Sequence, residues 1–181
     1  MIGGIRGKII SKNPPEVIID TGGVLYRVLI PILDFDEIGA VGASVLVHTH
    51  LYLKDNTIEI YGFLTEVERA LFLDLTKVPG LGPKSALSIL SQIRAEDLIR
   101  AINGEDLDRI SAVKGVGRKK ASKILIELKG MFVPEKGRNY IDALNALQAL
   151  GLSVKEAKRR LTGIDESLPV EEIIKEALRH G

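Results

Sequence analysis

The sequence predicts an α+β chain in three parts: a small β-barrel of five strands, a helical segment built on an internal repeat, and a short bundle of three helices. Three observations carry this reading. Residues 1–63 alternate short runs rich in Val, Ile, Leu, Tyr and Thr with breaks of Gly, Pro, Asn and Asp. From Thr65 the apolar spacing changes to that of helices. A nine-residue pattern then occurs twice, with Gly80 and Gly115 in equivalent places.

The expected strands cover residues 2–10, 17–20, 24–30, 45–53 and 58–63. The breaks are Asn13-Pro14-Pro15, Gly22-Gly23, residues 39–42, and an Asp55-Asn56 hairpin tip. So few short strands suit a closed barrel, because a sandwich needs more strands and a parallel sheet needs helices between them. Thr65, with Glu68 three residues on, has the form of a capping box opening a helix, and Leu71, Phe72 and Leu75 continue it at helical spacing. Helices are expected over 66–77, 83–92, 95–103, 106–112 and 118–131. Residues 132–138 combine Pro, Gly and charge without a period and read as a linker. Three further helices are expected over 139–150, 153–161 and 170–179. Gly151 stands where a C-cap glycine belongs, Ser153 and Glu156 suggest a second capping box, and Pro169 sits near the start of the last helix. The corresponding domain division is 1–63, 64–131, linker 132–138, and 139–181.

With 45% hydrophobic residues, the 181-residue chain can build real cores. The absence of cysteine removes disulfides and thiolate chemistry and fits a reducing, cytoplasmic setting. The first dozen residues lack a signal-like apolar core. No apolar run approaches the roughly 20 residues of a membrane span, so no membrane partner is expected. The net charge of +1 argues against nucleic acid only if it is taken as an average. Residues 1–63 carry 5 basic and 7 acidic side chains, residues 64–133 carry 12 and 9, and residues 134–181 carry 8 and 8. The positive excess lies in the middle segment, concentrated at Lys114, Arg118, Lys119, Lys120 and Lys123.

The repeat carries the chemistry. Val78-Pro79-Gly80-Leu81-Gly82-Pro83-Lys84-Ser85-Ala86 is echoed by Val113-Lys114-Gly115-Val116-Gly117-Arg118-Lys119-Lys120-Ala121. In each copy a short helix is expected before the glycines and a longer one after. Paired glycines around one apolar residue permit a tight turn with positive φ, and Leu81 or Val116 can plug the gap between the helices. The chain then enters a helix whose first N–H groups have no partner within the helix. With the helix dipole they make an anion site suited to phosphate. Lys84, and Lys119 or Lys120, can reach the same or a neighbouring phosphate. Nothing in either copy is suited to reading base edges, so recognition by backbone and shape is expected. The plain alternative, that each Gly-x-Gly is a turn between packed helices, is weakened by a second copy with lysine at the same offset.

Other phosphate motifs fail. Pro83 separates Gly82 from Lys84, and residue 77 is Lys where a Walker loop needs its first Gly. A dinucleotide fingerprint needs a third Gly at 85 or 120, where Ser and Lys stand. No cofactor, no metal and no catalytic residue are expected. His48 and His50 share a strand face without a third ligand at metal spacing, and Asp34-Phe35-Asp36-Glu37 reads as a solvated acidic turn.

The opening Met1-Ile2-Gly3-Gly4-Ile5-Arg6-Gly7, the Tyr61-Gly62-Phe63 exit from the barrel, the two glycine hairpins and the tethered C-terminal helices resemble the bacterial RuvA family over essentially the whole chain. That family is the junction-binding part of the branch-migration machinery. The resemblance implies that the barrel is an OB-fold and that the middle segment holds paired helix-hairpin-helix motifs. It further implies a homotetramer, or a double tetramer, holding a four-way (Holliday) DNA junction open and nearly planar. The C-terminal bundle would engage the hexameric ATPase RuvB, and a junction-resolving nuclease is a further implied partner. On this reading the chain is the non-catalytic subunit of a helicase complex in recombination and repair. The phosphate-binding residues would be Gly80, Leu81, Gly82, Lys84, Ser85, Gly115, Val116, Gly117, Arg118, Lys119 and Lys120. The family's acidic pin falls on Asp55 and Asn56, where the neutral Asn56 departs from the pattern, Lys54 offsets part of the charge and Glu59 can assist. Leu147, Leu150, Leu152 and Leu178 match the motor-binding stretch, although an aromatic is usual where Leu152 stands, and Leu147 and Leu150 could equally fill the bundle core. Two other classes compete: a nuclease or glycosylase built on the same hairpins, and an adaptor whose C-terminal bundle is the active part.

Overall fold

Five strands close into a barrel: β1 (Gly4–Asn13), β2 (Glu16–Asp20), β3 (Leu25–Leu29), β4 (Ser44–Lys54) and β5 (Thr57–Phe63), in the order β1-β2-β3-β5-β4. This computed structural model describes residues 2–54, 57–131, 135–165 and 168–179, without the side chains of 135–138 and 141. The Asp55-Asn56 tip and His180 lie outside the described residues. Alternation along the strands turns Ile5, Ile9, Val17, Ile19, Val28 and Val47 inward, and all are buried. The neighbouring pairs are antiparallel except β3 with β5, which pair in parallel through the single register pair Leu29 and Tyr61. This order and strand number give the OB-fold barrel. Gly62 is required for space: a Cβ there would stand 2.5 Å from Val28 Cγ1.

The acidic segment after β3 departs from expectation. Residues Ile32–Asp34 form a short 3-10 turn, and Asp34 and Phe35 are buried instead of solvated. The reason lies far along the chain. Arg94 reaches Asp34 at 3.4 Å, Glu37 at 2.5 Å and the Leu33 carbonyl at 3.1 Å, while the Ser91 hydroxyl accepts from the Ile32 N–H at 3.0 Å.

Five helices follow in the same unit: α1 (Glu66–Lys77), α2 (Pro83–Leu90), α3 (Ala95–Asn103), α4 (Leu107–Ser111) and α5 (Gly117–Leu128). The capping box is present. Thr65 Oγ1 accepts from the Glu68 N–H at 3.2 Å, and the Glu68 carboxylate accepts from the Thr65 N–H at 2.9 Å. Helix α1 then drives Phe72 into the end of the barrel. Its ring lies 5.0 Å from Tyr61 and 4.9 Å from Phe63, centroid to centroid, and all three are fully buried. Barrel and hairpins therefore share a core, and residues 1–129 form one compact unit. The first repeat copy reverses the expected helix lengths, since α1 has 12 residues and α2 has 8. α1 is the longer because it must reach the barrel as well as flank the glycines. The second copy follows the expected order, with 5 residues in α4 and 12 in α5.

Residues 130–181 form a second unit with three helices, α6 (Glu135–Ala149), α7 (Val154–Leu161) and α8 (Val170–Arg179). α6 starts within the stretch expected to be linker. Glu135, Lys136 and Arg138 are good helix formers, and without an apolar period they gave no helical signal. Ala143, Leu147, Ala157, Leu161, Ile173 and Ala177 form the core. Ser153 caps α7 by accepting from the Glu156 N–H at 3.2 Å. The Glu156 carboxylate instead pairs with Arg159 at 2.6 Å and Arg160 at 3.2 Å. Gly151, at φ 97°, ends α6 as a C-cap glycine. No described helix is long and apolar enough to cross a membrane.

Candidate nucleic-acid interface

The two glycine hairpins have matching geometry. Gly80 and Gly115 adopt φ of 89° and 87°, a region where an L side chain is strained. Leu81 and Val116 turn inward, 4% and 6% exposed, and their N–H groups donate to the Val78 and Val113 carbonyls, each at 3.0 Å. The chain leaves each turn directly into a helix. Neither Gly82 before α2 nor Val116 before α5 supplies a side-chain cap, so the first-turn N–H groups are left open to an outside acceptor. Gly117 continues the second turn at φ 63°. Gly82 differs: its φ is −91°, and a Cβ there would meet nothing within 4 Å. Neither the backbone nor the packing of the free protein demands glycine at this position.

The hairpins lie side by side. The Gln92 amide, two residues beyond α2, receives the Lys114 N–H at 3.1 Å and donates to the Lys114 carbonyl at 3.3 Å. Lys123 on α5 donates to the Pro79 carbonyl at 3.3 Å, tying the second copy's helix to the first copy's turn. A groove of about 210 Å³ between them is lined by Leu81, Lys84, Ser85, Lys114 and Gly115. Gln92 and Lys123 both lie outside the two copies of the nine-residue pattern. Lys123 was visible as part of the basic cluster, whereas nothing local marked Gln92.

The expected cations divide into two groups. Lys119 is exposed on the first turn of α5. Lys120 donates to the Gly115 carbonyl at 3.0 Å, and so braces the turn from within. Arg118 pairs with Asp108 at 2.7 Å, an exposed contact of small energy that a phosphate can displace. Lys84, 82% exposed, lies 3.4 Å from Glu59 on β5. Glu59 also accepts the Tyr61 hydroxyl at 2.6 Å. That hydrogen bond and Lys84 hold the Glu59 carboxyl below its ordinary value, while burial and the carboxylate push the Tyr61 phenol well above its own.

The two histidines serve structure. His48 Nδ1 lies 3.2 Å from Glu66, and His50 packs 5.9 Å from the Phe72 ring, its imidazole pKa lowered by burial and by Arg69. No three His, Asp or Glu side chains gather in a metal-holding arrangement among the described residues. In the second unit Leu147 is fully buried, Leu152 packs half-buried on the core, and Leu150 and Leu178 are 62% and 45% exposed. Asn139, early in α6, donates to the Leu168 carbonyl just before α8 at 2.9 Å. Helices α6 and α8 thus start at one end of the bundle and pack along their length, which brings Leu150 and Leu178 to the other end.

A closed five-stranded barrel sharing a core with two glycine hairpins, each opening a bare helix N-terminus, defines an OB-fold and helix-hairpin-helix protein. Residues 1–62 match the RuvA N terminal domain, residues 72–129 the SAM-like helix-hairpin-helix tandem, and residues 139–180 the RuvA C-terminal domain. The chain is 39% identical over 186 residues to the Holliday junction branch migration complex subunit RuvA of Delftia acidovorans, covering 99% of this chain and 98% of that protein. It is 40% identical over 186 residues to the protein of that name from Albidiferax ferrireducens, and 35% over 198 residues to that from Stutzerimonas stutzeri, with the same coverage. The chain belongs to the RuvA family.

Proposed function

We propose that this protein binds four-way DNA junctions through their phosphates, without reading sequence, and couples them to a branch-migration motor. The observation that carries this is the pair of matched hairpins fixed side by side by Gln92 and Lys123. Each offers open helix N–H groups with a lysine beside them, and together they can grip successive phosphates of a backbone. Gly82 supports the same reading, since a glycine that the free fold does not need leaves room for a ligand to approach. The relatives' shared name, a subunit of the Holliday junction branch migration complex, supports the junction as the target.

On this reading the barrel's β4–β5 hairpin faces the crossover. Asp55 supplies the repelling charge of a pin that Asn56 leaves at half strength. Four copies surround the junction, singly or as two facing tetramers. Exposed Leu150 and Leu178, with Leu152 at their base and buried Leu147 holding the helices beneath, form the apolar surface for the hexameric ATPase RuvB. A gel shift comparing a four-way junction with linear duplex of the same sequence tests the proposal. Preference for the junction, with affinity falling steeply as salt rises, is expected. Equal affinity for both would defeat it.

A further inference from the structure

Between the base of the β4–β5 hairpin and the first glycine hairpin lies a cavity of about 420 Å³. Its lining is chemically mixed in a particular way. Tyr52, half-buried, stands edge-on to Tyr61 with centroids 6.5 Å apart. Glu59 is fixed by the Tyr61 hydroxyl and faces Lys84. Lys54 and Lys84 are exposed cations at its edge, and the Ser85 backbone and hydroxyl belong to the first turn of α2. The cavity thus joins aromatic surface and a fixed hydrogen-bond acceptor to the same lysine and helix terminus that are suited to phosphate.

The geometry points to a binding site for one unpaired nucleotide. Resting on the junction reading above, the occupant is a base that has lost its partner at the crossover. Its phosphate is held at the α2 N-terminus and Lys84, its ring packs against Tyr52, and a base N–H donates to Glu59, from the exocyclic amino group of adenine, guanine or cytosine or from the N3–H of thymine. The size suits the assignment, since a single nucleobase occupies well under this volume and leaves room for its sugar. Every base offers a π-face, so stacking is tolerant of sequence and fits a complex that must pass any base pair through its centre. An unpaired base also pays the least for leaving its stack. The site would give each displaced base a temporary partner and lower the cost of the broken pair during exchange.

The test uses the full chain and junctions carrying 5-iododeoxyuridine, a photoprobe that couples to aromatic side chains, either at the crossover or within one arm. After irradiation of the shifted complex, the crossover probe is expected to join Tyr52, with yield at least about tenfold above the arm probe, in line with one base stacked on one ring. Tyr52→Leu is expected to abolish that adduct while a shifted junction complex still forms, because the phosphate contacts remain. A shifted complex whose crossover adduct lies elsewhere, or whose two probes react alike, overturns the site and leaves junction binding standing. Absence of a junction-specific complex overturns both.

Discussion

The Asp34 carboxylate lies 3.4 Å from the guanidinium of Arg94, a residue sixty positions later, and Asp34 is only 1% exposed. This pair locks the loop after β3 to the start of α3. Burial, and then the neighbouring Glu68 carboxylate, push Asp34 up to about 7 even though Arg94 pulls it down. Between pH 3.8 and about 7 the folded chain therefore keeps a proton that the unfolded chain releases. The stability tied to that proton is full below this window and lost as pH rises through it. Asp34→Asn lacks the titration, so its melting temperature should gain on that of the parent between about pH 4 and about pH 8. Melting curves followed by circular dichroism at both ends check this, and a gap independent of pH would refute it.

The glycines of the first hairpin should separate in their effects. Gly80→Ala forces a side chain into positive φ and should cost about 1–2 kcal/mol in urea unfolding. Gly115→Ala should behave alike. Gly82→Ala has space and an ordinary φ. It should change stability by less than about 0.5 kcal/mol while weakening junction binding. Equal stability losses at Gly80 and Gly82 would show that the two are only turn residues.

Phosphate contact predicts a salt signature. Lys84→Gln and Lys119→Gln should each reduce the slope of log affinity against log salt by about one per bound copy, and so by about four for one tetramer. Lys120→Gln removes a brace to the Gly115 carbonyl as well as a charge. It should therefore lower stability slightly too, which a paired melting curve would detect.

Phe72 holds barrel and hairpins in one core. Phe72→Ala should destabilise residues 1–129 by about 3–5 kcal/mol and lower the denaturation midpoint of barrel and hairpins together. Two separate transitions in the variant, with the barrel unaffected, would contradict the shared core.

In the C-terminal unit, exposure sorts the leucines. Leu150→Asp and Leu178→Asp should leave stability within about 0.5 kcal/mol while abolishing capture of the motor ATPase in a pull-down. Leu147→Ala should cost about 2–5 kcal/mol, because its side chain is fully buried. Retained capture by both aspartate variants would place the partner surface elsewhere.

The strands, the Thr65 capping box and the doubled Gly-x-Gly were legible in the sequence because each is local. Alternation, a cap three residues from its partner and a glycine turn are decided within a few neighbours. The same local view placed Asp34 in solvent and stopped α6 short at Asn139, since neither Arg94's reach nor helix content without apolar period leaves a mark nearby. It also could not tell buried Leu147, on α6, from exposed Leu150, three residues on and just past that helix's end.

By itself, then, the sequence determined the three-part order, the barrel, and two glycine turns that each lead into a helix. Only the tertiary structure decided that barrel and hairpins share a core through Phe72, that Gln92 sets the two hairpins side by side, and that Glu59 holds Lys84 over a cavity. These are contacts between residues 9 to 25 places apart, chosen by packing and burial across elements, and no local pattern of residue types encodes which distant group will be there to meet them.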